Sequence, residues 1–114
     1  MISRKNRFSG HKSLNFVYRH GQNIRMGMLA CKYVNNPKRQ SWRLAVVVSR
    51  KVEDSAVGRN RIRRRIYETF RKLATDELAH VDMVVTVFDS QVKGISQDQL
   101  NKLVTQIILA VNKQ

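Results

Sequence analysis

Between Gly58 and Lys72 the chain reads GRNRIRRRIYETFRK, with five arginines inside the seven residues Arg59–Arg65. Threaded through them, Ile62, Ile66, Phe70 and Leu73 recur at steps of four, four and three. At about 100° per residue that spacing gathers the four apolar side chains into one stripe of a helix. Asn60, Arg61, Arg64, Tyr67, Glu68 and Arg71 fall on the opposite side, Arg63 and Arg65 flank the stripe, and Arg59 projects near its apolar side in the first turn. The segment therefore needs an apolar surface on which to dock its stripe, and it must leave a row of guanidinium groups outside.

That surface is legible on either side. WRLAVVVS (Trp42–Ser49) and VDMVVTVF (Val81–Phe88) are nearly continuous apolar runs of strand length, the pattern of strands covered on both faces. No Gly or Pro occurs from Arg59 to His80, so a long helix between the strands is permitted, and Glu53, Asp54 and Ser55 supply candidate N-caps. Upstream, Leu29, Cys31 and Tyr33 alternate with Met28, Ala30, Lys32 and Val34. The period of two predicts a strand, with a shorter one around Ile24–Met26 ahead of Gly27. Leu14, Val17 and Tyr18 predict a short first helix within Lys12–Gly21, capped by Ser13 and ended by Gly21, with Phe16 off the stripe. Near the C-terminus Ser96 and Gln99 match a capping box ahead of Leu100, Leu103, Val104, Ile107, Ile108 and Val111 at helical spacing. NNPKRQS and DSQVKG read as loops. The predicted architecture is α+β, a sandwich in the order α-β-β-β-α-β-α with helices on one small sheet. A chain of 114 residues suits one domain, residues 1–114, with residues 1–10 a basic, flexible N-terminal segment.

Charge narrows the partner. The formal net charge is +14. Residues 1–52 hold twelve Lys/Arg and no acid, whereas residues 53–114 hold ten Lys/Arg and all eight acids. A field of one sign costs self-repulsion and suits a polyanion. Within the basic helix only Glu68 is placed to pair at i+4, with Arg64, and cations near a helix N-terminus oppose the macrodipole. Phosphate resolves that conflict, because planar guanidinium donates two parallel bonds to its oxygens. Charge alone leaves RNA and duplex DNA both open. Against a leucine-zipper type of basic region stand the sheet-docking stripe and the flanking strands. Phe8, Phe16, Tyr18, Tyr33 and Trp42 lie in the basic first half, where stacking on unpaired bases competes with core packing as their role. No apolar run approaches the roughly 20 residues of a membrane span, and MISRKNRFSG lacks the apolar middle of a secretory signal. Cys31 is alone and reads as a small core residue in a reducing, cytoplasmic setting.

Catalytic groups are scattered. His11, His20 and His80 are isolated, and one cysteine gives no zinc spacing. Asp76 and Glu77 are adjacent and diverge by about 100° on a helix. Asp82 and Asp89 bracket a strand. The expectation is a binder whose chemistry, if any, is performed by a partner, with no catalytic residue, metal or cofactor on the chain.

Residues 43–71, RLAVVVSRKVEDSAVGRNRIRRRIYETFR, resemble the signature region of the bacterial ribonuclease P protein subunit. There a strand ending in Ser-Lys-Lys leads into Ala-Val-x-Arg-Asn-Arg-x-Lys-Arg and a long helix. Here Ser49-Arg50-Lys51 and Ala56-Val57-Gly58-Arg59-Asn60-Arg61-Ile62-Arg63-Arg64 stand in those places. NRFSGHKSLNFVYRHGQ, VDMVVTVF and the final helix also follow the family order. The resemblance implies a ribonucleoprotein that removes the 5′ leader of precursor tRNA, with catalysis and Mg2+ in the RNA subunit. It implies two partners, ribonuclease P RNA and precursor tRNA, and no membrane or DNA. It also implies a left-handed crossover around the basic helix, against the general right-handed rule. Carried over by position, the implied RNA contacts are Arg50, Lys51, Arg59, Asn60, Arg61, Arg63 and Arg64. The implied leader cleft lies between the first helix and the sheet, with Leu14 and Tyr18, and Tyr33 on the facing strand; Leu14 departs from the usual Phe, so either Phe16 substitutes or stacking there is weaker. Arg63 replaces a commoner Lys, Tyr67 occupies a place often held by Arg, and Glu53-Asp54 lengthens the loop. A structural rRNA-binding protein of ribosomal type is the alternative.

Overall fold

The computed structural model describes residues 11–35, 41–74 and 81–112. The predicted N-terminal segment, Phe8, Asp76, Glu77, His80 and most of the NNPKRQS loop lie outside the described residues. Helix α1 spans His11–His20, followed by β1 (Gln22–Met26), β2 (Leu29–Asn35), β3 (Arg43–Val48), α2 (Ala56–Leu73), β4 (Val81–Val87), a 3-10 turn (Ser90–Lys93) and α3 (Gln97–Asn112). The four strands form one sheet in the order β1-β2-β4-β3. β1 pairs antiparallel with β2 and β2 with β4, while β3 and β4 run parallel, a pairing that needs a crossover connection such as α2 supplies.

Local chemistry accounts for each boundary. α1 ends where the Gly21 N–H bonds the Val17 carbonyl at 2.7 Å. Ser13 sits inside α1, so it is not the predicted cap. The β1–β2 connection is the two residues Gly27 and Met28, and Gly27 takes φ 61°, the positive value such a tight hairpin asks of its first central residue. In the capping box of α3 the Gln99 N–H bonds Ser96 Oγ and the Ser96 N–H bonds Gln99 Oε1, both at 3.1 Å. Asp89 caps the 3-10 turn through the Gln91 N–H at 2.9 Å.

The two sides of the sheet are unequal. Leu29, Cys31 and Tyr33 on β2, Leu44, Val46 and Val48 on β3, and Val81, Met83, Val85 and Val87 on β4 point to one side. There they meet Ile62, Ile66 and Phe70 of α2 and Leu100, Val104, Ile107 and Val111 of α3. On the other side α1 seals a smaller cluster, Val17 against Ala45 and Val84, with Leu14, Val34 and Val47 around it. The Arg43 guanidinium clasps the buried Asp82 carboxylate on this side through Nε at 2.8 Å and Nη2 at 2.7 Å. That hydrogen-bonded carboxylate raises the Arg43 pKa above its ordinary value. Cys31 is wholly buried, and burial pushes its thiol up to about 12, which keeps it protonated and unreactive. Tyr67, expected on the free side of α2, is half-buried and its Oη accepts from the Val46 N–H at 3.2 Å. Its task is on the outer strand β3.

Candidate nucleic-acid interface

The start of α2 is assembled by a loop that folds back on it. Ser55 is the N-cap, its Oγ accepting from the Gly58 N–H at 2.8 Å. Glu53 lies over the first turn: Oε1 accepts from the Ser55 N–H at 3.3 Å and Oε2 pairs with Lys93 Nζ at 2.9 Å. The Lys93 ammonium first, and then the Ser55 amide, hold the Glu53 carboxyl below its usual range. A Cβ at position 58 would stand 2.6 Å from Glu53 Cγ and Cδ and 2.7 Å from Ser55 Oγ. Glycine is what lets the acidic side chain lie there.

The five clustered arginines divide into two kinds. Arg59 Nη1 donates to the Glu53 and Asp54 carbonyls at 3.0 and 2.7 Å, closing the loop from inside. Arg65 donates from Nη1 to the Val92 carbonyl at 3.3 Å and from Nη2 to the Ile95 carbonyl at 2.6 Å, fastening the 3-10 turn and the approach to α3 onto α2. Arg63 Nη1 donates to Asn60 Oδ1 at 2.8 Å along the helix. Arg61 and Arg64 are exposed and make no hydrogen bond or ion pair with the described residues. The expected Arg64–Glu68 pair does not form. Glu68 is engaged by Arg71 instead, at 3.2 Å to Nε and 2.9 Å to Nη2, and this hydrogen bonding is the largest of the causes that lower the carboxyl pKa to about 2. With Glu68 taken, Arg64 is left without a carboxylate partner among the described residues.

Between α2 and the start of α3 runs an open groove of about 340 Å³, lined by Arg61, Arg64, Arg65, Lys72, Glu68, Thr69 and Gln97. Four cations face one carboxylate there. Arg50 and Lys51, also exposed, follow the C-terminal end of β3. Of the implied RNA contacts the structure thus turns Arg50, Lys51, Asn60, Arg61 and Arg64 outward, leaves Arg63 half-buried, and draws the Arg59 guanidinium in to the backbone.

The α1 side carries the second set. Leu14 is half-buried against the small cluster, and Tyr18 is 40 % exposed. Phe16 is 51 % exposed with its ring 4.7 Å from that of His20. It lies about 200° around the helix from Leu14, so it does not fill Leu14's place. Tyr33 is 3 % exposed, belongs to the core under α2 and α3, and donates its hydroxyl to Gln22 Oε1 at 3.1 Å. It does not face α1, because neighbouring residues of a strand point to opposite sides. Lys32 occupies that side: its Nζ donates to the Tyr18 carbonyl at 3.1 Å and stands 5.7 Å from the Tyr18 ring centroid. Sequence reasoning missed Lys32, Arg25 and Phe88 on this side. The signal was the same alternation that predicted β2. Among the described residues no three His, Cys, Asp or Glu side chains come together as a metal site, and no helix is long and apolar enough to cross a membrane.

Fold and charged faces define a class: a small, basic α+β protein suited to a polyanion, with an arginine helix bridging two parallel strands. A family model described as Ribonuclease P matches residues 2–111. The chain therefore belongs to the ribonuclease P protein component family. It is 32 % identical over 87 residues to the ribonuclease P protein component of a Pseudanabaena strain, covering 76 % of this chain and 75 % of that one. Two solved structures share the fold. The Staphylococcus aureus RNase P protein aligns with a TM-score of 0.77 at 23 % identity over 94 % of both chains. The Thermotoga maritima protein aligns with a TM-score of 0.78 at 19 % identity over 90 % of this chain and 94 % of that one.

Proposed function

We propose that this chain serves ribonuclease P in tRNA 5′ maturation by holding two RNA strands on two of its surfaces. The outer side of α2, with Arg50 and Lys51, grips the backbone of the catalytic RNA. The α1 side of the sheet receives the single-stranded 5′ leader of precursor tRNA. One observation carries the reading: Arg61 and Arg64 stand exposed on α2 while the nearby carboxylates among the described residues, Glu68 and Glu53, are spent on Arg71 and Lys93. Guanidinium groups left free on a helix packed through Ile62, Ile66 and Phe70 suit phosphate oxygens, which accept two parallel bonds.

The chemistry of leader removal is assigned to the RNA. Among the described residues no three His, Cys, Asp or Glu side chains gather into a donor set for the magnesium that serves that chemistry. Its contribution is electrostatic and positional. Catalytic RNA and substrate are both polyanions and repel. A protein of net charge +14 seated between them replaces diffuse counterions with fixed cations. Less magnesium is then needed to hold ribozyme and substrate together. The test is reconstitution with bacterial ribonuclease P RNA at low magnesium, following precursor-tRNA cleavage. The expected result is cleavage well above that of the RNA alone; equal rates with and without the protein would overturn the reading.

A further inference from the structure

We infer that Phe88, with Arg25 laid across its ring, is a stacking site for an unpaired base of the leader, beyond the ground covered by α1. The inference rests on the reading of the α1 side as the leader surface and extends that surface to the far end of the sheet.

Phe88 is 51 % exposed, yet its backbone is held by the sheet, for its N–H bonds the Met28 carbonyl at 3.0 Å just past the end of β4. Asp82, Val84 and Thr86 point to the α1 side, and the alternation puts Phe88 there too. The register agrees. Arg25 is paired with Ala30, and Ala30 with Thr86, so Arg25 projects from the same side. Its Cζ stands 4.7 Å from the centroid of the Phe88 ring. Arg25 Nε also donates to the Gly27 carbonyl at 3.3 Å, tying the guanidinium to the hairpin turn. The ring therefore has a cation on it and remains half open to solvent.

Between Lys32 and Phe88 the floor is low, made of the small side chains of Ala30 and Thr86. Val84 is paired with Lys32, and at about 3.4 Å per residue Phe88, just past the end of β4, lies about 14 Å further along. Past it the path stays cationic. Val48 is paired with Val87, so Arg50 and Lys51 follow at the same end of the sheet. The single carboxylate on this side among the described residues, Asp82, is clasped by Arg43, and Asp89 caps the 3-10 turn. A strand leaving α1 thus meets a fixed aromatic ring, a guanidinium on it for added attraction, and cations for its phosphates. Base–aromatic stacking of this kind is sequence-tolerant and suits a leader of varied sequence.

The test uses the holoenzyme reconstituted with ribonuclease P RNA and precursor tRNAs carrying leaders of increasing length. Affinity should rise with leader length for the natural protein. Phe88→Leu should cost about tenfold for the long leaders, and Phe88→Tyr, which keeps the ring, should restore most of it. As a direct readout, Phe88→Trp in a Trp42→Phe background should show fluorescence quenching by single-stranded RNA and much less by duplex. Identical leader-length profiles for Phe88→Leu and the natural protein would overturn the inference. So would equal quenching by duplex and single strand. Both results leave the proposed function standing provided the natural protein still stimulates cleavage; loss of that stimulation would count against the function itself.

Discussion

The two sides of the sheet are built to opposite ends. Beneath α2 and α3 lie Phe70, Ile66, Leu44, Met83, Leu100 and Ile107, all without solvent exposure. Beneath α1 the buried apolar set is Val17, Ala45 and Val84, with Leu14, Val34 and Val47 half-buried around it and Ala30 buried further along, and the rest of that side includes Asn23, Arg25, Lys32, Thr86, Phe88 and the Arg43–Asp82 pair. A sheet this small holds its stability on one side, and the other is thereby released from packing and open to a ligand. Helix α2 repeats the division on its own surface: apolar stripe inward, Arg59 and Arg65 bonded to backbone carbonyls at the seams, Arg61 and Arg64 outward.

The division breaks most directly by cutting into each side in turn. Phe70→Ala should cost about 3–5 kcal/mol in urea unfolding, from lost transfer energy and the cavity left behind. Val17→Ala, removing two methyl groups from the thin side, should cost about 1.6 kcal/mol. Equal losses would mean that α1 carries as much of the fold as α2 and α3. Asp82→Ala comes next. It removes the two-point carboxylate contact of the Arg43 guanidinium, whose side chain is 14 % exposed, and should cost about 3 kcal/mol; a cost near zero would show that the pair adds nothing to the fold. The smallest changes sharpen the contrast within α2. Arg65→Ala removes two bonds to backbone carbonyls and should cost about 1–3 kcal/mol of stability. Arg64→Ala should leave the unfolding midpoint in place and weaken RNA binding, lowering the log–log salt slope by roughly 0.7–0.9. Arginines that shifted both quantities alike would erase the distinction between seam and outer surface.

Much of the fold was legible because it is written in local patterns. The Ser96–Gln99 box, Gly27 at the hairpin, the stripe of α2 and the two apolar runs each announce an element, and each element is there. What sequence left unread depends on partners far along the chain. A helical projection sets Arg59 and Arg65 nearer the apolar stripe than Arg61 and Arg64 but does not show what holds them, since their acceptors are carbonyls of Glu53, Asp54, Val92 and Ile95, and a carbonyl has no letter. Tyr67 is claimed by a strand amide for the same reason. The Tyr33 error is of another type. Alternation in LACKYVN was clear, but it does not say which set faces which helix, and one step exchanged an aromatic ring for the ammonium of Lys32. Phe88 was passed over as the tail of an apolar run, where burial is the ordinary expectation.

The hydrogen bond from the Val46 amide to the Tyr67 phenol has a further consequence. β3 is a margin of the sheet, and open strand margins invite copies of a protein to zip together. With one of its donors occupied by a side chain from α2, that margin is a poorer template for recruitment. The opposite margin, β1, reads QNIRM and is mostly polar. Stacking into long ribbons needs two receptive margins per molecule, so the phenol guards the free polypeptide while it waits for its nucleic acid.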